Sequence, residues 1–87
     1  MESAIFETLE SLNCEYFQYT VKAVVSPEDY DEIYKVNIWH EDATLDIEIM
    51  HDEKYGYSAC VLSKASLPPN FEHDFMDSLI EYLNLVA

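Results

Sequence analysis

The sequence predicts an α+β fold in two layers: a four-stranded antiparallel meander with the N- and C-terminal helices on one face of the sheet (αββββα). Apolar residues recur at helical spacing near both ends, and four segments between them alternate apolar and polar residues. The 87 residues predict a single domain over residues 1–87. With 49% apolar residues and 14% aromatic residues, the chain has the composition of a folded domain rather than of a disordered acidic tail.

The first helix is predicted from Glu2 to Leu12. Its apolar stripe contains Ile5 and Leu9, and its acidic residues fall on the other side. Asn13 is expected to end it, because asparagine tolerates the left-handed backbone that often follows a helix.

A long first strand is predicted from Cys14 to Ser26, because every second residue from Phe17 to Val25 is apolar. Pro27 ends it, since proline lacks the N–H that a strand ladder requires. The next residues, 28–32, are predicted to form a polar loop.

Two further strands are predicted at Ile33–His40 and Ala43–His51. If Glu41-Asp42 is a two-residue hairpin loop, Ile38 faces Leu45 and Asn37 faces Asp46. A slip of one residue would place apolar residues opposite acids, so the pattern supports this register. Because Glu-Asp lacks the glycine of an ideal hairpin turn, a longer loop of the same parity is an alternative.

The fourth strand is predicted at Tyr57–Ser63, after the only glycine of the chain. The sequence leaves two alternatives for the residues that point inward from this strand. One set contains Ala59 and Val61, and the other contains Cys60 and Leu62. A helix from about Asn70 to Leu85 follows, with Asn70 as its N-cap. Phe71, Phe75, Leu79, Tyr82, Leu83 and Val86 form its predicted apolar stripe.

Charge is the dominant feature of the composition. Eighteen acids, four lysines and no arginine give a formal net charge of −14. Binding to nucleic acid or to an anionic membrane requires clustered basic residues, so both classes of function are disfavoured. Residues 26–53 alone carry a net charge of −9.

Spread evenly, the net charge would amount to about one per 380 Å² of surface, against about one per 110 Å² on duplex DNA. The even-numbered positions of strand three, however, place four acids in one row about 33 Å long, close to the ~34 Å of ten base pairs. The loop after strand one and the turn after strand three are predicted to lie at the same end of the sheet. The predicted partner-binding residues are Glu28, Asp29, Tyr30, Asp31, Glu32, Trp39, Asp42, Asp46, Glu48, Asp52 and Glu53.

No catalytic motif, cofactor motif or metal-ligand spacing is present, so the sequence favours a non-enzymatic protein without cofactor or metal. Cys14 and Cys60 are too far apart in the sequence for a Cys-x-x-Cys motif and are interpreted as free thiols. The acidic N-terminus and the lack of a long apolar run favour a cytoplasmic protein, in the host cytoplasm if a phage encodes it.

The acid clusters Glu28-Asp29-Tyr30-Asp31-Glu32 and Asp42-x-x-x-Asp46-x-Glu48-x-x-x-Asp52 resemble those of the small acidic DNA mimics that phages use against restriction enzymes and CRISPR effectors. The resemblance is one of charge and size, without an alignable motif. It implies a monomeric or homodimeric inhibitor that blocks the basic nucleic-acid cleft of a defence nuclease. The alternatives are an immunity protein for a basic toxin, a small acidic chaperone or adaptor that binds through the exposed sheet face, and a solvated acidic surface suited to a salty cytoplasm.

Overall fold

The computed structural model describes residues 1–24 and 32–86. The order of elements is α1 (Glu2–Ser11), β1 (Gln18–Val24), β2 (Glu32–His40), β3 (Ala43–Asp52), β4 (Gly56–Ala65) and α2 (Phe71–Val86). The strands form one antiparallel sheet in the order β1-β2-β3-β4. The predicted αββββα fold is therefore confirmed.

The helix α1 ends where the sequence predicted. Asn13 has a left-handed φ of 59°, and the Cys14 N–H donates to the Leu9 carbonyl over 2.7 Å. This turn continues to Phe17, whose N–H donates to the Cys14 carbonyl over 3.1 Å. The prediction that the first strand begins at Cys14 is therefore wrong, because residues 14–17 form a turn and β1 begins at Gln18. Val25, Ser26, Pro27 and residues 28–31 of the predicted loop lie outside the described residues. The prediction that Glu32 belongs to this loop is wrong, because Glu32 pairs with His51 as the first residue of β2.

The hairpin of β2 and β3 has the predicted register. His40 pairs with Ala43, Ile38 with Leu45 and Asn37 with Asp46. Glu41 has a φ of 52°, so a non-glycine residue adopts the left-handed conformation that the two-residue loop requires.

The strand β4 contains a β-bulge, and its register with β3 shows which side chains point inward. Ile47 pairs with Val61 and Asp46 with Ser63, which leaves Leu62 as the extra residue. Tyr57, Ala59 and Val61 pack against the core, whereas Cys60 and Leu62 are exposed. After the bulge, Lys64 pairs with Leu45 and forms an ion pair with Glu72 of α2.

One apolar core lies between the sheet and the two helices. Ile5 and Leu9 of α1, Ile47 of β3, and Phe75 and Leu79 of α2 are each at most 2% exposed. We call this side of the sheet the inner face and the opposite side the outer face. Stacked aromatic rings extend the core to the first residue of α2. Phe71 stacks on Phe17 at 5.0 Å and on Phe75 at 5.8 Å between ring centroids.

Candidate partner-binding surfaces

The acid row predicted on β3 lies on the outer face at its two central positions. Asp46 and Glu48 alternate with the buried Leu45, Ile47 and Ile49, and both side chains are partly exposed. The alternation of the strand therefore presents these two carboxylates to solvent or to a partner.

Asp46 is held from both sides by neighbouring strands. The Asn37 amide nitrogen donates to Asp46 Oδ1 from β2, and the Ser63 hydroxyl donates to Asp46 Oδ2 over 2.7 Å from β4. The Asn37 amide also donates to Thr44 Oγ1 over 3.1 Å. This network orients Asp46 and ties β2, β3 and β4 together on the outer face.

The outer face also carries two lysines, which offset most of its negative charge. Lys35 pairs with Glu48 across β2 and β3, and Lys22 pairs with Lys35 across β1 and β2. With Asp52 at the end of β3, the outer face of the described strands has two positive and three negative side chains. Most of the negative charge of the protein therefore comes from other surfaces.

The two ends of the predicted row have different roles. Asp42 is exposed in the β2–β3 turn. Asp52 Oδ1 instead accepts hydrogen bonds from the N–H groups of Lys54 and Tyr55 over 2.7 and 3.0 Å. Asp52 therefore stabilises the β3–β4 turn, in which Glu53 is exposed.

The predicted acidic loop cannot be placed beside this turn. Glu28, Asp29, Tyr30 and Asp31 lie outside the described residues, so their position near Asp52 and Glu53 stays a prediction. For Glu32 the backbone is described: it begins β2 and pairs with His51, one residue before Asp52.

Trp39 lies on the outer face between Gln18 of β1 and Thr44 of β3. Its side chain is partly exposed. This position is suitable for an aromatic contact with a partner, because tryptophan and tyrosine combine large apolar area with few rotatable bonds.

The helices form a second acidic surface that the sequence analysis did not single out. We call it the helix layer; its seven acids are Glu2, Glu7, Glu10, Glu72, Asp74, Asp77 and Glu81. Neither helix contains a lysine or an arginine. Adding the charges of the two terminal helices, which pack on the same face, would have revealed this surface from the sequence.

Contacts between the helices fix part of this layer. The hydrogen bond between the Tyr82 hydroxyl and Glu7, followed by partial desolvation and the negative charge of Glu7, raises the pKa of Tyr82 above its ordinary value. His73 Nε2 lies 3.1 Å from Asp77 Oδ2 on the exposed side of α2. Lys64 of the edge strand β4 supplies a cation to the helix layer through its ion pair with Glu72.

The three histidines have ring or carboxylate neighbours instead of a shared metal site. His40 meets the edge of Tyr16 at 4.4 Å, and His51 lies 4.5 Å from Tyr57, both between ring centroids. Within residues 1–24 and 32–86, no group of three or more His, Cys, Asp or Glu side chains is arranged to hold a metal ion.

Comparisons with protein-family models, with curated proteins and with solved structures each found no match for this chain. Among the described residues, no helix combines the length and apolar character needed to cross a membrane.

Proposed function

We propose that this protein is a non-enzymatic inhibitor that mimics the DNA phosphate backbone and occupies the basic nucleic-acid-binding cleft of a bacterial defence nuclease, a CRISPR effector or a restriction enzyme. The observation that carries the proposal is the helix layer, where seven carboxylates lie on two adjacent helices that contain no basic residue. The net charge of −14 gives the whole chain the sign that such a cleft attracts.

The charge density of the helix layer is of the same order as that of DNA. With 10 and 16 residues, the helices are about 15 and 24 Å long and each is about 10 Å wide. Their projected area is then about 390 Å², or about one carboxylate per 56 Å². On the same projected basis, a duplex about 20 Å wide has one phosphate per ~34 Å². The helix layer therefore reaches roughly 60% of the projected charge density of the molecule that the cleft binds.

Other acids of the chain add to this charge. Asp42 and Glu53 are exposed in the turns at opposite ends of β3. The sequence contributes four further carboxylates at Glu28, Asp29, Asp31 and Glu32. Asp46 and Glu48 contribute less to the net field, because Lys22 and Lys35 share their face.

The mechanism is steric competition with DNA. Long-range attraction accelerates the encounter of the acidic protein with a basic cleft, and salt weakens that attraction. Lysines and arginines that would neutralise phosphates instead contact carboxylates of the inhibitor, so DNA cannot enter the cleft.

The test uses three charge-reversal pairs with the same change in net charge. They are Asp74→Lys with Asp77→Lys on the helix layer, Glu28→Lys with Asp29→Lys in the acidic segment, and Asp46→Lys with Glu48→Lys on the outer face. Purified CRISPR effectors and restriction enzymes are assayed for DNA cleavage with each protein added at 50 and 200 mM salt. We expect the wild-type protein to inhibit at least one enzyme, more weakly at 200 mM salt, and the helix-layer pair to reduce inhibition most.

Three results would contradict the proposal: absence of inhibition across the panel, inhibition that salt leaves unchanged, or equal inhibition by all three variants and the wild type. A basic toxin nuclease included in the panel tests the immunity-protein alternative. Selective neutralisation of that enzyme, with CRISPR effectors and restriction enzymes unaffected, would assign the same surface to toxin immunity.

A further inference from the structure

The outer face separates its charges into a positive half and a negative half. Lys22 and Lys35 are on β1 and β2, whereas Asp46 and Glu48 are on β3. The strand register aligns Lys22, Lys35 and Glu48 in one line across the sheet. Two of the four lysines of this chain are therefore direct cross-strand neighbours.

Such an arrangement is unfavourable in an isolated chain. Like charges directly opposite each other destabilise a strand pair. Among the residues that the structure describes, neither Lys22 nor Lys35 has a carboxylate oxygen within 4.0 Å. A partner carboxylate above Lys35 would reduce the repulsion between the two lysines.

We propose that the outer face binds a second copy of this chain, face to face, about a two-fold axis that runs parallel to the strands and above the boundary of β2 and β3. This rotation places β2 of each copy over β3 of the other. Lys35 then faces Glu48 of the second copy, and the same pair recurs by symmetry. A two-fold axis perpendicular to the strands would instead place Lys35 over Lys35, so the charges select the first axis.

The uncharged positions of the outer face add little to this contact, because Ile33 is only 7% exposed and both N–H groups of the Asn37 amide already donate within the chain, to Asp46 and Thr44. A shallow hollow lined by Thr20, Lys22, Lys35, Asn37, Asp46 and Leu62 gives room for side chains to interdigitate.

The size of the face approaches the lower limit for a specific dimer. Seven cross-strand rows at about 3.3 Å and four strands at about 4.8 Å span roughly 23 by 19 Å, or about 440 Å² of projected area per copy. Two copies bury about 880 Å² before the relief of side chains is added, against a lower limit of ~1,000 Å² for a specific interface. Trp39 and Leu62, which is 51% exposed, add apolar area.

The dimer also accommodates the net charge of the two chains. Each outer face has two lysines against three acids, so little net charge is buried in the dimer, and the helix layers point away from each other on opposite sides of the assembly. The remaining repulsion is long-range, so it is screened at 0.15 M salt, where the Debye length is about 8 Å. This inference does not depend on the proposed function, because it concerns the opposite surface.

The experiment measures molar mass by sedimentation equilibrium at 20 and 150 mM salt. Four proteins are compared: wild type, Lys22→Glu with Lys35→Glu, Asp46→Lys with Glu48→Lys, and, as the control, Asp74→Lys with Asp77→Lys on the helix layer. We expect wild type and control to reach twice the 10.1 kDa of one chain at 150 mM salt, and wild type to dimerise more weakly at 20 mM salt. Each outer-face variant alone is expected to remain monomeric.

Mixing the two outer-face variants is the decisive step. The charged outer-face residues are then all acidic in one variant and mainly basic in the other, so a 1:1 mixture is expected to form a heterodimer. Circular dichroism checks that each variant is folded. If a double variant is unfolded, the single changes Lys35→Glu and Glu48→Lys give the same complementary pair.

Cys60 provides a second measurement that needs no substitution. It lies in the same cross-strand line as Lys22, Lys35 and Glu48, and its side chain is exposed in the isolated chain. Its alkylation is expected to slow at least tenfold as the protein concentration rises through dimerisation.

A wild-type protein that stays monomeric at 150 mM salt, or a mixture that stays monomeric, would overturn the proposal. Failure of the nuclease test would leave this outcome unaffected, and salt acts in opposite directions on the two associations.

Discussion

The side chain of Asn84 near the end of α2 closes the turn that begins β4, because Asn84 Oδ1 accepts a hydrogen bond from the Tyr57 N–H over 3.0 Å. The preceding residue, Gly56, has a φ of +83°, and a Cβ atom there would lie 2.8 Å from Asn84 Oδ1. The only glycine of the chain is therefore required both for its backbone conformation and for the space that Asn84 occupies.

Gly56→Ala is expected to lower the free energy of unfolding by about 1–3 kcal/mol, from left-handed strain and from the contact with Asn84. Urea denaturation measures the change. Ser58→Ala, at an exposed position of the same strand, is the control and should change stability by less than about 0.5 kcal/mol. If the contact matters, adding Asn84→Ala to Gly56→Ala should cost less than the sum of the two single changes.

Asp46→Ala is expected to lower the free energy of unfolding by about 1–3 kcal/mol, because it removes the acceptor of the Asn37 and Ser63 hydrogen bonds. Asp42→Ala is the matched control, since it removes the same group from an exposed turn position and is expected to cost less than about 0.5 kcal/mol. Equal stabilities of the two variants in urea denaturation would show that the network does not stabilise the sheet.

The sequence was sufficient to predict the β2–β3 hairpin, because apolar and polar residues alternate on both strands and a slip of one residue would place apolar residues opposite acids. It was also sufficient for the end of α1, since Asn13 is a residue type suited to its left-handed backbone. The start of β1 was placed too early, because the alternation of Phe17 with its neighbours continues into a turn whose hydrogen bonds leave no pattern in the sequence.

The bulge at Leu62 and the true location of the charge required the structure. A bulge inserts one residue without a characteristic composition, so the pattern of β4 fitted both inward faces equally well. The charge was counted along the chain, where residues 26–53 dominate. In space, Lys22 and Lys35 share the outer face with the acids of β3, and two helices distant in sequence combine into the helix layer.

The ionisation of Tyr82 is expected to make the free energy of unfolding depend on pH in the alkaline range. Its pKa is raised in the folded chain by the hydrogen bond to Glu7, so the folded state retains the proton to higher pH than the unfolded state does. The stabilisation is complete below the unfolded pKa of about 10 and is lost as the pH rises through the folded pKa. Urea denaturation between pH 8 and 11 should show a steeper loss for wild type than for Tyr82→Phe. Parallel curves would refute the contribution of this hydrogen bond.

The two cysteines are expected to differ strongly in reactivity. Cys14 is 7% exposed, and burial raises its pKa, which disfavours the reactive thiolate. Cys60 is exposed on β4. A chromogenic disulfide reagent at pH 8, at protein concentrations low enough to keep the chain monomeric, should label one thiol rapidly in wild type and none rapidly in Cys60→Ser. Rapid labelling of both thiols in the folded protein would contradict the packing of Cys14 against the core.

Salt is expected to stabilise the fold, because repulsion among eighteen acids opposes the compact state. Raising sodium chloride from 10 to 500 mM shortens the Debye length from about 30 Å to below about 8 Å and should raise the melting temperature. If the helix layer carries much of this repulsion, Asp74→Asn with Asp77→Asn should have a higher melting temperature at 10 mM salt and a smaller gain on adding salt. Lys22→Gln with Lys35→Gln is the opposite control: it removes two counter-charges and should increase the salt dependence. A melting temperature that is independent of salt in all three proteins would mean that the acids are too far apart to form the dense negative surface that the inhibitor proposal requires.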